Sequence, residues 1–472
     1  MDLPVVIQTI ITAVYAITII GTILVVITEK RNPIRTLAWV LVLVFVPAVG
    51  ILFFYFFGQD NRKKKSISSH YKEMGDKSYT ENDAEEIRGI QPAYDMFKLV
   101  SLLERNNDAS LFRGSEVEVI TDGGRKLELL LRDIEEARYH IHMQYFLFAN
   151  DDTGRKVKDA LMKKASEGVE VRFLYDNVAN IKVPSKFYNG MRSSGVRVIP
   201  FMNVSLPWFK SRMNYRNHRK IVVIDGCIGY VGGMNIGNNY ALNPSWRDTH
   251  LRITGKGVYG LQHSFLADWY TSNDERLPEG LYFPSCEEKT DNLLQIATSG
   301  PNTAWANMLQ AAINITVTAH HYLYIQTPYF LPTDSLFEAL QTAALSGVDV
   351  RLMVSRKSDS PYIDPAANSY YSDLLRAGMR IFEHPTKFIH AKTMVSDDFI
   401  SVIGSANMDF RSFESNFEIN CYLYDLALAQ QNKQIFLTDM AECDEVLLED
   451  WEQRSWWRRV KESVMRLFGP LL

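Results

Sequence analysis

The sequence has few cysteines, and they form no motif. Four occur in 472 residues, and none belongs to a Cys-x-x-Cys pair: Cys227, Cys286, Cys421 and Cys443. A disulfide framework is typical of short, cysteine-dense secreted chains, and structural zinc sites usually place cysteines in close pairs. The sequence therefore argues against both and favours buried free thiols, which fits a reducing compartment.

An excess of basic residues is also lacking. Lysine and arginine total 51 against 55 acidic residues, for a net charge of −4. A nucleic-acid groove is typically basic and interleaved with aromatic side chains, and no such stripe occurs in the sequence. We therefore expect no nucleic-acid partner.

Charged residues are missing from two long stretches near the N-terminus, Leu3 to Thr28 and Thr36 to Gln59. Each exceeds the roughly 20 residues that a helix needs to cross a bilayer. Pro33 lies between them and cannot continue the first helix. The pattern predicts a transmembrane hairpin over residues 1–60, with spans at about 3–28 and 37–58. A cleaved signal peptide fits less well, because Asp2 stands where a basic residue is expected.

A basic juxtamembrane segment and linker follow over residues 61–110. The segment supplies four basic side chains, Arg62 to Lys65, and the loop between the spans supplies three: Lys30, Arg31 and Arg35. Basic residues concentrate on the cytoplasmic side, so this difference of one residue favours a cytoplasmic catalytic portion. The same cluster is suited to contact anionic membrane lipids, although an ordinary stop-transfer flank would look alike.

The remainder is an α/β sequence that contains an internal repeat. Residues 167–172 match residues 346–351, and in both copies a helical stretch ends at a glycine and a strand follows. Two His-x-Lys-x4-Asp motifs repeat at a constant offset of 172 residues. The paired positions are His218 and His390, Lys220 and Lys392, Asp225 and Asp397, Gly232 and Gly404, and Asn235 and Asn407. This repeat predicts two pseudo-symmetric α/β halves, residues 111–285 and 286–445, that share one active site.

The motif spacing suits phosphoryl transfer. Side chains two residues apart share one face of a strand, so each histidine points the same way as its lysine. Neutral imidazole can attack phosphorus, while lysine and the amides of Asn235 and Asn407 bind the phosphoryl oxygens. Asp225 and Asp397 lie an odd number of positions from the histidines, so we expect them to face away and brace the turns.

Each histidine also needs an acceptor that orients its second ring nitrogen. Asp248 lies 30 residues after His218, and Glu418 lies 28 residues after His390. This near-equal spacing predicts one orienting carboxylate in each half. The remaining histidines lack carboxylates at ligand spacing, so we expect no metal site.

These residues resemble the phospholipase D superfamily, and more closely the bacterial cardiolipin synthases. Four segments carry the resemblance: Asn214–Lys220, Gly232–Gly237, Trp246–His250 and Gly404–Ser412. It extends over nearly the whole chain, including the hairpin. The resemblance implies two phospholipase D-like α/β/α halves in a multi-pass protein of the bacterial inner membrane.

The resemblance also implies a two-step reaction without metal or cofactor. His218 would attack one phosphatidylglycerol and release glycerol, with His390 as general acid. His390 would then act as base for a second phosphatidylglycerol, which yields cardiolipin. The near-symmetry of the sequence leaves the order of the histidines open, since chemistry demands only that one starts neutral and the other protonated.

Other readings remain open at this point. Phospholipid hydrolysis, phosphatidylserine synthesis and nuclease activity use the same motif, and a catalytically inactive membrane scaffold is a different class of protein. The sequence does not determine the oligomeric state. Residues 446–472 form an amphipathic segment rich in tryptophan and arginine, which suits either a membrane interface or a helix docked on the catalytic halves.

Overall fold

The computed structural model describes residues 3–28, 33–46, 50–51, 54, 93–201 and 215–469. The chain divides into two compact units, one of residues 1–61 and 204–214, the other of residues 62–203 and 215–472. The first unit contains helices α1 (Leu3–Thr28) and α2 (Pro33–Phe45). Leu43 and Phe54 are buried there, and the ring of Trp39 packs edge-on against Phe54.

Helix α1 has the bounds that the sequence predicted for the first span. The second predicted span, residues 37–58, lies only partly within the described residues. Over the described part of the chain, no helix combines the length and the apolarity that crossing a bilayer requires. The hairpin therefore stays a prediction. The basic segment, residues 62–65, lies outside the described residues.

The first catalytic half is built on a seven-stranded sheet. Its spatial order is β2 (Glu116–Ile120), β9 (His250–Thr254), β7 (Ile228–Gly232), β6 (Ile221–Ile224), β3 (His140–Tyr145), β4 (Glu170–Asp176) and β5 (Arg197–Phe201). The strands β3, β4 and β5 run parallel, whereas β6, β7, β9 and β2 pair antiparallel. The helices of this half are α4 (Gly123–Glu136), α5 (Asp152–Ser166), α6 (Ser185–Ser193), α7 (Asn238–Ala241) and α8 (Val258–Asn273).

The second half repeats this sheet strand for strand. The equivalent order is β10 (Leu293–Ser299), β19 (Glu418–Tyr424), β17 (Ile400–Gly404), β16 (Thr393–Ser396), β11 (Tyr322–Gln326), β13 (Asp349–Ser355) and β14 (Arg380–His384). Two edge strands complete it, β1 (Leu111–Arg113) next to β10 and β20 (Asp444–Glu445) next to β14. Strand β1 thus belongs to the second sheet, although it lies within the predicted first half.

Short strands and helices complete the second unit. The two-residue strands are β8 (Trp246–Arg247), which pairs with β15 (Phe388–Ile389), and β12 (Phe330–Leu331), which pairs with β18 (Met408–Asp409). The remaining helices are α3 (Ala93–Asn107), α9 (Asn307–Thr318), α10 (Asp334–Leu345), α11 (Ile363–Arg376), α12 (Phe410–Glu414), α13 (Leu426–Met440), α14 (Leu448–Glu452) and α15 (Trp456–Leu467), and a 3₁₀ turn covers Glu279–Leu281.

A shared core joins the two sheets face to face. Branched residues of β6, β7 and β9 pack against residues of β17 and β19, for example Val231 and Leu251 with Ile403 and Ile419, all fully buried. Burial of such side chains is worth about 1.5–3 kcal/mol each. The motif segments enter β6 and β16, so this interface brings the two motifs to the same region.

The prediction of four free thiols is wrong for two of them. Cys227 and Cys286 form a disulfide, with Cα atoms 5.7 Å apart and a separation of 59 positions in sequence. Cys227 lies in the β6–β7 turn, and the chain that follows α8 packs on this turn so closely that a side chain on Gly226 would meet Pro284. Sequence spacing gave no sign of this return. Cys421 and Cys443 are free, and Cys421 is buried in the core between the sheets.

Candidate active site

The two motif histidines lie just before strands β6 and β16, in extended segments that cross between the halves. Asn217 forms a bridge with Phe417, and the backbone N–H of His218 donates to the carbonyl of Phe417 at 2.9 Å. On the other side, the backbone N–H of His390 donates to the carbonyl of Arg247 at 2.7 Å. Each histidine is therefore held in position by a backbone hydrogen bond to the half that does not contain it.

The same crossing sets the carboxylate partners. The Nδ1 atom of His218 lies 3.0 Å from both oxygens of Glu418, and Nδ1 of His390 lies 2.6 Å from Oδ2 of Asp248. The expectation that each carboxylate serves the histidine of its own half is therefore wrong. Phe417 and Arg247 are hydrogen-bonded to the motif segment of the opposite half. The residue after each of them, Glu418 or Asp248, therefore lies beside the histidine of that opposite half. We call these two pairs the crossed dyads.

Burial dominates the electrostatics of the crossed dyads. Burial and, to a smaller extent, the charge of Lys392 lower the pKa of His390 to about 3 against the opposing effect of Asp248. Burial also lowers the pKa of His218, while Glu418 acts in the opposite direction. Each histidine is also influenced by the lysine of the other half, which places both imidazoles in one electrostatic environment.

The motif lysines are buried beside their histidines. The Nζ atom of Lys220 donates to the carbonyl oxygen of His218 at 2.6 Å, and Nζ of Lys392 donates to the carbonyl oxygen of His390. Burial lowers the pKa of Lys220 to about 7 and that of Lys392 to about 8. A nearby phosphate would favour the charged form of both amines, so an anionic substrate and two ammonium groups stabilise each other here.

The two motif asparagines have unequal partners. Asn235 is satisfied within the protein, since its Nδ2 donates to the Tyr240 hydroxyl at 2.7 Å and its Oδ1 accepts from the backbone N–H of Leu147. Asn407 donates from Nδ2 to Asp409, and its Oδ1 is buried without a protein partner. Asn235 therefore braces the site through Tyr240 in this structure.

Asp225 and Asp397 face away from the histidines and hold the strand ends. Asp225 accepts from the backbone N–H groups of residues 138, 139 and 140 at 2.8–2.9 Å, where β3 begins. Asp397 accepts from residues 320, 321 and 322 at 2.6–2.9 Å, where β11 begins. Both aspartates have positive φ, near +50°, as the tight turn requires.

Comparison with known proteins places this geometry in a family. The family model "Cardiolipin synthase, PLD-like domain" matches residues 130–266 and 313–440, and "Phospholipase_D-nuclease N-terminal" matches residues 16–59. The chain is 38% identical to the major cardiolipin synthase of Bacillus subtilis, with 97% of this chain and 98% of that protein covered. It is 39% identical to a cardiolipin synthase of Listeria monocytogenes, covering 94% and 95%. The chain belongs to the cardiolipin synthase family.

A solved structure shares the fold. Phosphatidylserine synthase of Haemophilus influenzae superposes with a TM-score of 0.60 at 14% identity, covering 79% of this chain and all of that one. At this identity the likeness concerns the fold alone. The α/β fold with two repeated phospholipase D-like halves is therefore confirmed.

A buried arginine supports each crossed dyad by bonding both an aspartate and the backbone of the dyad's carboxylate residue. We call each such arginine–aspartate pair an arginine brace. Arg219 donates to both oxygens of Asp268 at 2.8 Å, to the carbonyl oxygen of Glu418 at 3.1 Å and to that of Ser299 at 3.0 Å. It thereby ties the residue next to His218 to the backbone of the carboxylate that orients His218. Sequence reasoning missed it, because position 391 in the other motif is alanine.

The second arginine brace makes the same kinds of contact from different positions in the sequence. Arg247 forms an ion pair with Asp439 at 2.8 Å and donates to the carbonyl oxygen of Asp248. Glutamine donors complete both braces: Gln144 donates to Asp268 at 2.6 Å and Gln326 donates to Asp439 at 2.8 Å. Gln144 and Gln326 occupy equivalent positions in the two sheets, since each lies opposite the residue three positions after a motif histidine.

Aromatic rings pack against both histidines. The ring of Phe146 lies 4.9 Å from that of His218, and the rings of Trp246 and Tyr240 lie 5.2 Å and 5.6 Å from that of His390. Of the residues that the structure describes, no group of three or more His, Cys, Asp or Glu is placed to hold a metal ion.

Proposed function

We propose that the chain makes cardiolipin and glycerol from two molecules of phosphatidylglycerol through a phosphatidyl-histidine intermediate. One observation carries this proposal: two buried imidazoles, each bonded through Nδ1 to a carboxylate of the opposite half, share one site with two lysines. Because Nδ1 is occupied in both rings, Nε2 of each is left to work on a substrate. The curated relatives bear the name of this activity.

In the first step, Nε2 of His218 attacks the phosphorus of phosphatidylglycerol, and the bond from phosphorus to the glycerol oxygen breaks. Burial favours the neutral form of His390, whereas Asp248 and the charge of the bound phosphate favour its protonated form. In that protonated form, His390 gives its Nε2 proton to the departing oxygen, and glycerol leaves. The ammonium groups of Lys220 and Lys392 stabilise the charge on the phosphoryl oxygens. The carboxylate behind each ring stabilises the positive charge that the ring carries after attack or before donation.

In the second step, neutral His390 takes the proton of the terminal hydroxyl of a second phosphatidylglycerol. The resulting oxygen attacks phosphorus while the bond to His218 breaks. Cardiolipin forms, His218 returns to its neutral form, and His390 is again protonated. The cycle balances without metal or cofactor.

Family resemblance supports His218 as the nucleophile. Trapping a radiolabelled phosphatidyl group on the protein tests which histidine attacks. A phosphatidyl ester of p-nitrophenol needs no acid for its leaving group, so the intermediate should accumulate on His390→Ala and not on His218→Ala. Radiolabelled lipid on the denatured protein is the readout. Label on His218→Ala alone would reverse the assignment.

Labelled phosphatidylglycerol incubated with the full-length protein in membranes tests the function. Cardiolipin plus glycerol supports the proposal, phosphatidic acid would mean hydrolysis, and an absence of product would mean an inactive scaffold. His218→Ala and His390→Ala should each abolish cardiolipin formation. EDTA should leave the rate unchanged, and a strong loss in EDTA would contradict a metal-free mechanism.

We further propose that the hairpin anchors the enzyme in the bacterial cell membrane as a multi-pass protein. The count of basic residues favours a cytoplasmic catalytic portion by one residue, whereas the Cys227–Cys286 disulfide favours an oxidising compartment. A cysteine introduced by Tyr139→Cys, at a position 74% exposed, distinguishes the two sides. A membrane-impermeant maleimide added to intact cells labels it only if the catalytic halves face outward.

A further inference from the structure

Helix α15 is fixed to the second catalytic half by one of its faces. Glu462 is 2% exposed and accepts from the guanidinium groups of Arg454 and Arg458 at 3.2 Å and 2.9 Å. Met465 packs against the hydrophobic core of the second half, and the guanidinium of Arg466 lies 4.3 Å from the ring centre of Tyr370 in α11. The orientation of the helix is therefore determined by its docked face.

The opposite face of α15 is apolar and exposed. Trp456, Val460, Val464 and Leu467 recur at intervals of three and four residues, so they form one stripe along the helix. Trp456 is 59% exposed and Leu467 is 77% exposed. Trp457 lies beside the stripe and is 74% exposed, although burying its indole would be favourable. We call this face the outer stripe.

Basic side chains border the outer stripe. Arg459 and Lys461 are exposed, and Arg459 lines a shallow groove together with Trp456 and Leu467. Tryptophan and leucine on one side with arginine and lysine next to them are typical of helices that lie in the interface of an anionic membrane. A zwitterionic surface would satisfy the apolar residues but would not attract the basic border.

The outer stripe ends beside α12, the short helix that follows the second motif asparagine. A side chain at Gly469, two residues after α15, would lie 3.8 Å from the ring of Phe410, and Phe410 follows the motif asparagine Asn407 by three residues. We propose that the outer stripe rests on the surface of an anionic phospholipid bilayer and holds this edge of the catalytic unit against it. The surface binds lipid whether or not the chemistry at the histidines proceeds.

An environment-sensitive fluorophore on Trp457→Cys, in full-length protein that also carries Cys443→Ser, tests the docking. We expect a blue shift and increased emission in vesicles of phosphatidylglycerol and phosphatidylcholine, and a smaller change in phosphatidylcholine alone. The same label on Tyr139→Cys is the matched control, because residue 139 precedes β3 at the end of the sheet away from the histidines. No response at position 457, or an equal response in both lipids, would overturn the proposal.

A charge placed in the outer stripe gives a second measurement. Val464→Glu should remove the spectral shift while leaving the thermal unfolding midpoint unchanged, whereas Gln453→Glu adds the same charge outside the stripe and should retain the shift. A shift that grows with protein concentration in detergent would instead identify a second copy of the chain as the occupant. Because His218→Ala should retain the shift, failure of docking is distinguishable from failure of the proposed chemistry.

Discussion

Glu418→Gln is the sharpest test of the crossed dyads. The carboxylate of Glu418 is fully buried and accepts from four donors: Nδ1 of His218, the hydroxyls of Ser405 and Ser412, and the amide of Asn416. Each serine hydroxyl also accepts a backbone N–H, and its own hydrogen is donated to the carboxylate. A carboxamide has one acceptor oxygen and one NH2 group, so it cannot accept from all four donors, and its NH2 would face at least one of them.

Two losses follow from this mismatch. The NH2 group favours the His218 tautomer that carries its proton on Nε2, which removes the lone pair that would attack phosphorus. The substitution also removes an anion 3.0 Å from the ring. An opposite charge at this range shifts a pKa by about 1–3 units, or about 1.4–4 kcal/mol. The analogous Asp→Asn change in a Ser-His-Asp triad lowers kcat about 10⁴-fold. We expect a loss of about 10²- to 10⁴-fold in kcat here, with KM nearly unchanged.

The assay is the rate of cardiolipin formation from labelled phosphatidylglycerol over a range of concentrations. Glu449→Gln, the same change at an exposed position of α14, is the matched control and should retain full activity. The unfolding midpoint shows whether Glu418→Gln remains folded. A folded Glu418→Gln protein with kcat within a factor of a few of the parent would refute the role assigned to the crossed dyads.

Three further predictions concern the groups around the dyads. Because burial lowers the pKa of Lys220 to about 7, its ammonium is lost as pH rises through that value; kcat/KM should fall above about pH 7, and Lys220→Arg should move this decline to higher pH. A methyl group on Gly233 would lie 2.0 Å from Oδ1 of Asp248, so Gly233→Ala should displace the carboxylate and lower kcat sharply; Gly280→Ala, with open space around it, is the control. Arg219→Leu removes the buried ion pair with Asp268 and should lower the free energy of unfolding by about 3–5 kcal/mol. Arg219→Leu combined with Asp268→Leu should regain part of that stability but not the kcat. Recovery of both stability and kcat would show that Arg219 contributes only to packing and does not position the dyad.

Much of the site was predictable because it is local in sequence. The histidine, lysine and aspartate of each motif lie within eight residues, so the alternation of a strand was sufficient to separate His218 and Lys220 from Asp225. The repeat then required two similar halves. The carboxylates Asp248 and Glu418 were found by matched spacing, without any knowledge of their partners.

The pairing of those carboxylates was not predictable in the same way. Spacing within each half suggested that Asp248 serves His218, whereas the structure pairs it with His390. The Cys227–Cys286 disulfide and the arginine braces were not predictable for the same reason. All of them join segments that are distant in sequence, and nothing in a single chain segment encodes which distant segment packs beside it.

The sequence by itself determined the types of the motif side chains, their duplication and the apolar N-terminus from which the membrane hairpin is predicted. These are consequences of residue identity and short-range periodicity, which act within one strand or one helix. Only the tertiary structure decided which carboxylate pairs with which histidine. The shared core between the sheets brings the segment before each histidine against the segment before the other half's carboxylate, so neither half holds a complete dyad.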